Sequence, residues 1–293
     1  MAEGDPIAYL NGEFLPLGEA KVSILDRGFQ FADGVYEVIP VYGGAPFRLQ
    51  AHLQRLARSL GEIGMAPPMA EADFAAAVHQ LIERNCGGDC QTYIQVTRGE
   101  APRNHPFPEA VHPTVVMTCT PVTPVPGEWV RDGVSAITAE DIRWARCDIK
   151  SIALLPNVMM RQKAAEEGAF EAIWVHQGKA VEGAASNLFA VTDGVARTPP
   201  DGPRVLPGIT RDVVLELADD EGLPVRTGEI TVEELASADE VWLTSSTKEV
   251  LPVTQLDGRP VGSGQPGPLF RTVLDAYRAR IRMIREYGEE GVP

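Results

Sequence analysis

The chain has 293 residues and carries 41 acidic against 26 basic side chains, a net charge of −15. A surface of that sign repels phosphate backbones and anionic lipid, which disfavours nucleic acid or a membrane as partner. Hydrophobic residues make up 44%, and no apolar run nears the ~20 residues that a bilayer span needs, so the composition is that of a globular protein long enough for two domains.

The opening segment, Met1 to Phe14, has neither a basic start nor an apolar stretch of signal-peptide length, so the cytoplasm is the expected compartment. Ile7–Leu10 and Glu13–Leu15 flank Asn11-Gly12, a strong hairpin signal. Val35–Tyr42 alternates and is rich in β-branched residues, predicting a strand; Gly43-Gly44 then turns the chain into Pro46–Leu49. From Ala51 the period changes: Leu53, Leu56, Leu60 and Ile63 recur at three and four residues, predicting an amphipathic helix that ends near Gly64. Ala70–Asn85 predicts another, with Phe74, Val78, Leu81 and Ile82 inward. Thr92–Thr97 and Thr114–Thr120 read as strands. This makes an N-terminal α+β domain over residues 1–120.

Residues 121–127, Pro-Val-Thr-Pro-Val-Pro-Gly, break every periodicity and predict a linker. Beyond it, Val134–Ile137 and Ile142–Arg146 are short strand-like runs, and Asn157–Glu167 is helical. Ala172–His176, Ala180–Val181 and Leu188–Val191 read as strands, and Thr210–Glu221 as a helix. Thr231 and Glu234 form a capping box opening a short helix. Val241–Ser245 reads as a strand and Leu269–Arg285 as a final helix. Residues 128–293 are therefore expected to form a C-terminal α/β domain, and that domain contains Lys150.

Four cysteines, Cys86, Cys90, Cys119 and Cys147, are too sparse for a disulfide framework. Cys86 and Cys90 lack a second ligand pair, and the five histidines (His52, His79, His105, His112, His176) show no metal-binding spacing, so no metal is expected. Gly262-Ser-Gly264-Gln-Pro-Gly267 fits a dinucleotide fingerprint in letters only, because no long strand precedes it and too little chain follows.

Lysines are few: Lys21, Lys150, Lys163, Lys179 and Lys248, against 21 arginines. Lys163 and Lys179 belong to polar, solvated segments. Lys150 lies between Ile142–Cys147 and the apolar Ile152–Leu155, so its surroundings should be dry. An ammonium there is either paired, with Asp141 or Asp148, or used covalently as a nucleophilic amine. Gly208-Ile209-Thr210-Arg211 opens a helix whose free amides form an anion cup, or else Thr210 is an ordinary cap. Glu182, in a small-residue turn, needs a cationic or N–H partner, which a protonated pyridine nitrogen or local amides would supply.

Together these segments resemble the class IV (fold type IV) pyridoxal-phosphate aminotransferases, most closely their D-amino acid branch. The likeness is carried by Asp26-Arg-Gly-Phe-Gln-Phe-Ala-Asp-Gly-Val-Tyr-Glu-Val38, Val96-Thr-Arg-Gly99 with Pro102-Arg-Asn-His105, and Asp141-Ile-Arg-Trp144 with Cys147-Asp-Ile-Lys-Ser151. Glu182-Gly183 with Asn187-Leu-Phe189, Gly208 to Arg211, and Thr244-Ser-Ser-Thr247 complete it, in order from about Ala8 to about Asp257. The resemblance implies an α+β, two-domain architecture with pyridoxal 5'-phosphate as cofactor. It implies that Lys150 forms the Schiff base and shuttles the proton, and that Glu182 partners the ring nitrogen. Arg55, Ile209, Thr210 and Ser246 would hold the phosphate, and Leu206 would brace the ring.

Tyr36, Arg103 and His105 would trap the substrate carboxylate, with the arginine and histidine coming from the neighbouring subunit of a homodimer. The implied reaction exchanges an amino group between a D-amino acid such as D-alanine and a 2-oxo acid (2-oxoglutarate or pyruvate), through a pyridoxamine intermediate. Same-fold alternatives are a branched-chain L-amino acid transaminase, an (R)-amine transaminase and an aminodeoxychorismate lyase. Arg103-x-His105 argues against all three. A catalytically silent relative is disfavoured by intact Lys150, Glu182 and Arg55. The chain departs from the pattern at Ala184 and Ala185, where serines are common, and at Phe29, where tyrosine is.

Overall fold

The structure, a computed structural model, describes residues 5–289 apart from 86 and 111. The expectations that concern Met1–Gly4 and Cys86 therefore lie outside the described residues. The chain divides into two compact units: Met1–Thr123 with Ile149–Ala153 and Ile281–Pro293, and Pro124–Asp148 with Leu154–Arg280.

In the first unit, β1 (Ile7–Leu10), β2 (Glu13–Pro16), β3 (Gly34–Tyr42), β4 (Ala45–Pro46), β5 (Cys90–Thr97) and β6 (Thr114–Pro121) form one sheet in the order β2-β1-β6-β5-β3-β4. Every pairing in it is antiparallel. Asn11 and Gly12 take the positive φ values, 50° and 102°, that the β1–β2 turn requires. Three helices join the sheet: α1 (Arg27–Phe31), α2 (Leu49–Glu62) and α3 (Glu71–Asn85). Helices α2 and α3 pack on the sheet. Leu53, Leu56 and Leu60 of α2 and Phe74, Val78, Leu81 and Ile82 of α3 meet Val35, Ile39, Ile94, Val96 and Met117 of the strands in one buried core. The helical spacing in the sequence therefore marks the buried stripe correctly.

Residues Ile149–Ala153 cluster with this unit, whereas the sequence-based division put them with residues 128–293. The cause is an open strand edge. Strand β5 pairs with one edge of β3 along its length, and β4 covers only Val41 and Tyr42 of the other. Tyr36 N–H donates to the Lys150 carbonyl (2.9 Å), Ile152 N–H to the Gly34 carbonyl (3.1 Å), and Ser151 bridges Val35. Ile149 enters the core. Backbone groups that would otherwise be buried unpaired are satisfied this way.

The second unit begins with α4 (Gly127–Asp132), where the sequence reading has the end of a linker. It continues through β7 (Val134–Glu140), α5 (Leu155–Glu166), β8 (Glu171–His176), β9 (Lys179–Gly183), β10 (Asn187–Thr192), β11 (Val195–Thr198) and α6 (Ile209–Asp220). After these come β12 (Val225–Thr227), β13 (Ile230–Thr231), α7 (Val232–Ala236), β14 (Glu240–Ser245), β15 (Glu249–Leu256), β16 (Arg259–Pro260) and α8 (Pro268–Tyr287), whose residues to Arg280 belong to this unit and those from Ile281 to the first. The strands form a mixed sheet in the order β12-β11-β10-β14-β15-β7-β8-β9-β13, with β16 on β15. Its core includes Ile173, Leu188, Leu243, Val241 and Val253. The capping box of Thr231 and Glu234 is present at α7.

Two sequence expectations fail here for identifiable reasons. Ile142–Arg146 is not a strand: Asp141 turns the chain by accepting the Arg143 N–H (3.0 Å) and then grips the Arg143 side chain, so side-chain bonds replace a ladder. The glycine-rich stretch Gly262–Gly267 leads into α8. Buried Glu240 accepts the free amides of Leu269 (3.0 Å) and Phe270 (2.8 Å) and the Trp242 indole N–H (3.0 Å). A Cβ at Gly267 would lie 2.0 Å from the Glu240 carboxyl carbon, so the glycine lets this cap approach. No described helix is long and apolar enough to cross a membrane.

Replacing Glu240 by alanine leaves two helix amides and an indole N–H without an acceptor. Glu240→Ala is expected to cost about 2–4 kcal/mol in urea denaturation, and Glu233→Ala, on the exposed face of α7, close to nothing.

Candidate active site

The first unit holds Lys150. Its side chain is half-buried, with Nζ 4.2 Å from the centre of the Tyr36 ring, and its own N–H reaches the Ser59 hydroxyl at 3.4 Å. No carboxylate pairs with it among the described residues. The two aspartates that could have done so are bound elsewhere. Asp148 takes a two-pronged grip from Arg146 (3.0 Å twice) and Asp141 takes one from Arg143 (2.9 and 3.0 Å). The structural-pair reading of Lys150 is thereby removed. Lys163 and Lys179 pair with Glu167 and Glu229 on the surface, as solvated lysines do.

Tyr36 also stacks near Tyr93 (5.8 Å between centres). The next residue on β3, Glu37, points to the opposite face and meets α2. There Arg55 donates through Nε (2.7 Å) and Nη2 (2.8 Å), and His52 Nδ1 lies 2.8 Å away. Burial alone would raise the Glu37 carboxyl. The Arg55 charge and its hydrogen bonds, joined by His52, more than offset that and hold Glu37 well below the usual carboxylate range. Burial likewise lowers His52 below its ordinary value despite Glu37. Arg55 is therefore fixed in place by Glu37, a partner the sequence reading did not assign. Its Nε and one terminal nitrogen are committed to that carboxylate, and the guanidinium is held rigid for whatever else it binds.

Arg103 and His105 lie on an exposed loop. Both rest on Phe31, at 5.1 Å for the Arg103 guanidinium carbon and 5.5 Å between ring centres for His105. Among the described residues, no hydrogen bond or ring contact joins either of them to Tyr36 in the same chain.

The second unit gathers the other expected residues at one end of its sheet. Glu182 lies near the end of β9 and is fully buried. It accepts the Leu206 N–H (2.9 Å), a weaker contact from Asn187 Nδ2 (3.4 Å), and a short bond from Arg143. Asn187 also donates to the Leu206 carbonyl (2.8 Å), and its Oδ1 would sit 1.8 Å from a Cβ at Gly208. Gly208 precedes α6, whose N-terminus has no side-chain cap, leaving the amides of Ile209 and Thr210 to face outward. Across the ladder, Asn187 pairs with Thr244, whose buried hydroxyl has no hydrogen-bond partner among the described residues. Ser246 follows in the turn after β14. Asn187 thus ties Glu182, Leu206, the α6 N-terminus and the end of β14 together. Neither Asn187 nor Arg143 was assigned a role from sequence, although both lie inside the segments that carry the family likeness.

One guanidinium, Arg143, serves two buried carboxylates, Asp141 and Glu182. Arg204 touches Asp141 only at 3.9 Å from a partly exposed position. Burial pushes the Glu182 carboxyl up to about 7, and the Arg143 charge offsets only part of that rise. Such a site favours one more buried cation. A protonated pyridine nitrogen meets this need, and the uncapped α6 N-terminus with Thr210 and Ser246 meets that of a phosphate. The donor set of this unit fits pyridoxal phosphate.

The raised pKa has a measurable consequence. In protein stripped of small molecules, folded Glu182 holds its proton up to about pH 7, whereas the unfolded chain releases it near the ordinary value of 4.5. Its contribution is full below pH 4.5 and is lost as pH rises through about 7, an effect on the order of 3 kcal/mol. Denaturation of the stripped wild type and of Glu182→Gln between pH 4.5 and 8 should show this fall only in the wild type.

The chain matches the model of the amino-transferase class IV family over residues 34–256. It is 45% identical over 271 residues to a D-alanine aminotransferase of Bacillus licheniformis, covering 92% of this chain and 95% of that protein. A D-alanine aminotransferase of Staphylococcus epidermidis is 43% identical, covering 94% and 97%. Among solved structures, the T.th. branched-chain amino acid aminotransferase with pyridoxamine 5'-phosphate superposes with a TM-score of 0.90 at 28% identity, covering 99% and 98%. Fold, motif order and relatives agree, and this chain belongs to the class IV aminotransferases, with the fold type IV architecture.

Proposed function

We propose that this aminotransferase uses pyridoxal 5'-phosphate to move the amino group of a D-amino acid such as D-alanine to 2-oxoglutarate or pyruvate. The observation that carries the reading is Lys150: an ammonium sheltered against Tyr36 with no carboxylate holding it among the described residues. Such an amine is ready for covalent use once it loses its proton. The cofactor, when bound, supplies an aldehyde carbon that accepts the amino group and a ring that draws electrons from the substrate α-carbon.

Lys150 would hold the cofactor through Nζ and, once displaced by substrate, use Nζ to take the proton from the α-carbon and deliver it to the carbon that had been the cofactor's aldehyde. Glu182 would accept the N–H of the ring nitrogen and keep that nitrogen charged. Arg143, bonded to Glu182 and to Asp141, orients that carboxylate. Ile209, Thr210, Ser246 and Arg55 would bind phosphate, and Leu206 would wall the ring. Tyr36, Arg103 and His105 would receive the substrate carboxylate, since a guanidinium grips it with two parallel bonds. A fixed carboxylate turns the α-hydrogen of one enantiomer toward Lys150, which sets the stereochemistry.

D-substrates are favoured over branched-chain L-amino acids by two observations. Sequence identity to the D-alanine aminotransferases is 43–45%, against 28% to the branched-chain neighbour of matching fold. The loop bearing Arg103 and His105 also presents a guanidinium and an imidazole side by side on Phe31, groups suited to a carboxylate. A homodimer in which this loop serves the partner's site is supported by the exposure of both residues and of nearby Ile24, Leu25 and Phe29.

Lys150→Ala should lower turnover by roughly three orders of magnitude or more, since covalent attachment and proton transfer are lost together. With D-alanine and 2-oxoglutarate, chiral chromatography should show D-glutamate accumulating. Turnover of L-leucine without D-glutamate would instead assign the branched-chain activity.

A further inference from the structure

The segment Asp26–Val38 buries more charge than the chemistry above employs. Asp33 receives Arg27 Nε at 2.7 Å and Arg98 Nε at 2.8 Å. With its inner edge fixed by that aspartate, Arg27 turns its outer nitrogens to three successive carbonyls: Asn104 (2.5 Å), His105 (3.2 Å) and Pro106 (3.5 Å). Arg98 donates to the Ile63 carbonyl (2.6 Å) and lies 3.6 Å over the ring of Phe107. Two buried arginines sharing one aspartate therefore grip the loop at four consecutive residues. Asp26 secures the base, accepting the Thr97 and Thr114 hydroxyls (2.9 and 2.7 Å) and the Gly28 N–H (2.7 Å).

The side chains of the loop rest on one ring. Phe31 ends α1, which Ala32 closes at a φ of 55°. Its ring has Arg27 at 4.8 Å and Arg103 at 5.1 Å, each from guanidinium carbon to centre, and the His105 ring at 5.5 Å. Arg103 and His105 are otherwise exposed. A free arginine on such a loop would lose rotamer entropy on gripping a carboxylate, and stacking in advance removes part of that cost.

We propose that Arg27 and Phe31, anchored by Asp33, are positioning residues that hold Arg103 and His105 ready and so set the affinity for the substrate carboxylate without touching it. The proposal rests on the reading that Arg103 and His105 receive that carboxylate. Steady-state kinetics of the holoenzyme with D-alanine and 2-oxoglutarate test it in Arg103→Ala, Phe31→Leu, Phe31→Tyr and Arg27→Lys. Phe31→Leu should raise the KM for D-alanine roughly tenfold with kcat within about twofold, and Phe31→Tyr should restore the wild-type KM. Arg27→Lys should behave like Phe31→Leu, because an ammonium can pair with Asp33 but cannot span three carbonyls. It also carries the test alone if the thermal midpoint shows that Phe31→Leu does not fold. An unchanged KM in Phe31→Leu and Arg27→Lys beside a raised KM in Arg103→Ala overturns the positioning role and leaves the trap standing. An unchanged KM in Arg103→Ala overturns the trap and this proposal with it. A fall in kcat with KM unmoved in Phe31→Leu also overturns it.

Discussion

A lysine ammonium that no carboxylate neutralises among the described residues is the constraint on which the proposed chemistry depends. Desolvating a charge is costly, and a half-buried lysine ordinarily resolves the cost by pairing. Here arginine takes the candidates. Asp141 is held by Arg143 and Asp148 by Arg146. The chain carries 21 arginines and five lysines, and this imbalance has a local meaning. Guanidinium groups remain charged and fork onto carboxylates, whereas an amine left without such a partner can lose its proton and bond to carbon.

The second unit shows complementary electrostatics. Glu182 sits with Asp141 around one shared guanidinium, so burial raises its pKa to about 7 and the spot welcomes a cation. The N-terminus of α6, uncapped and preceded by a glycine pressed against Asn187, welcomes an anion. A pyridinium phosphate carries both charges, and Asn187 connects the two places through its bonds to Glu182 and Leu206. One side chain thereby links Glu182 and Leu206.

Much of this was legible in the residues. The periodicity of Leu53, Leu56 and Leu60 marks the buried face of α2, Asn11-Gly12 makes its turn, and Thr231 with Glu234 makes its box, because each depends on neighbours a few positions away. What was not legible depends on partners far along the chain. The segment Ile142–Arg146 is apolar enough for a strand, but the bonds of Arg143 to Asp141 and Glu182 prevent one. Lys150 groups with residues before 124 because β3 leaves an edge open, which no local pattern announces. The phosphate reading of Arg55 could not foresee that Glu37 would hold it. The stretch Gly262–Gly267 looks like a nucleotide loop in letters and serves a buried glutamate in three dimensions. The roles of Arg27, Asp33, Arg143 and Asn187 lay inside motifs whose likeness was visible before their contacts were.

The side-chain nitrogen of Lys150 can be addressed directly by chemistry. Borohydride reduction of the purified protein, loaded with pyridoxal phosphate, followed by proteolysis and mass spectrometry, locates the residue that becomes covalently modified. The cofactor adduct is expected on the peptide containing Lys150 and no other. An adduct on Lys21, Lys163, Lys179 or Lys248 with Lys150 unmodified would contradict it, as would protein that takes up the cofactor and yields no adduct.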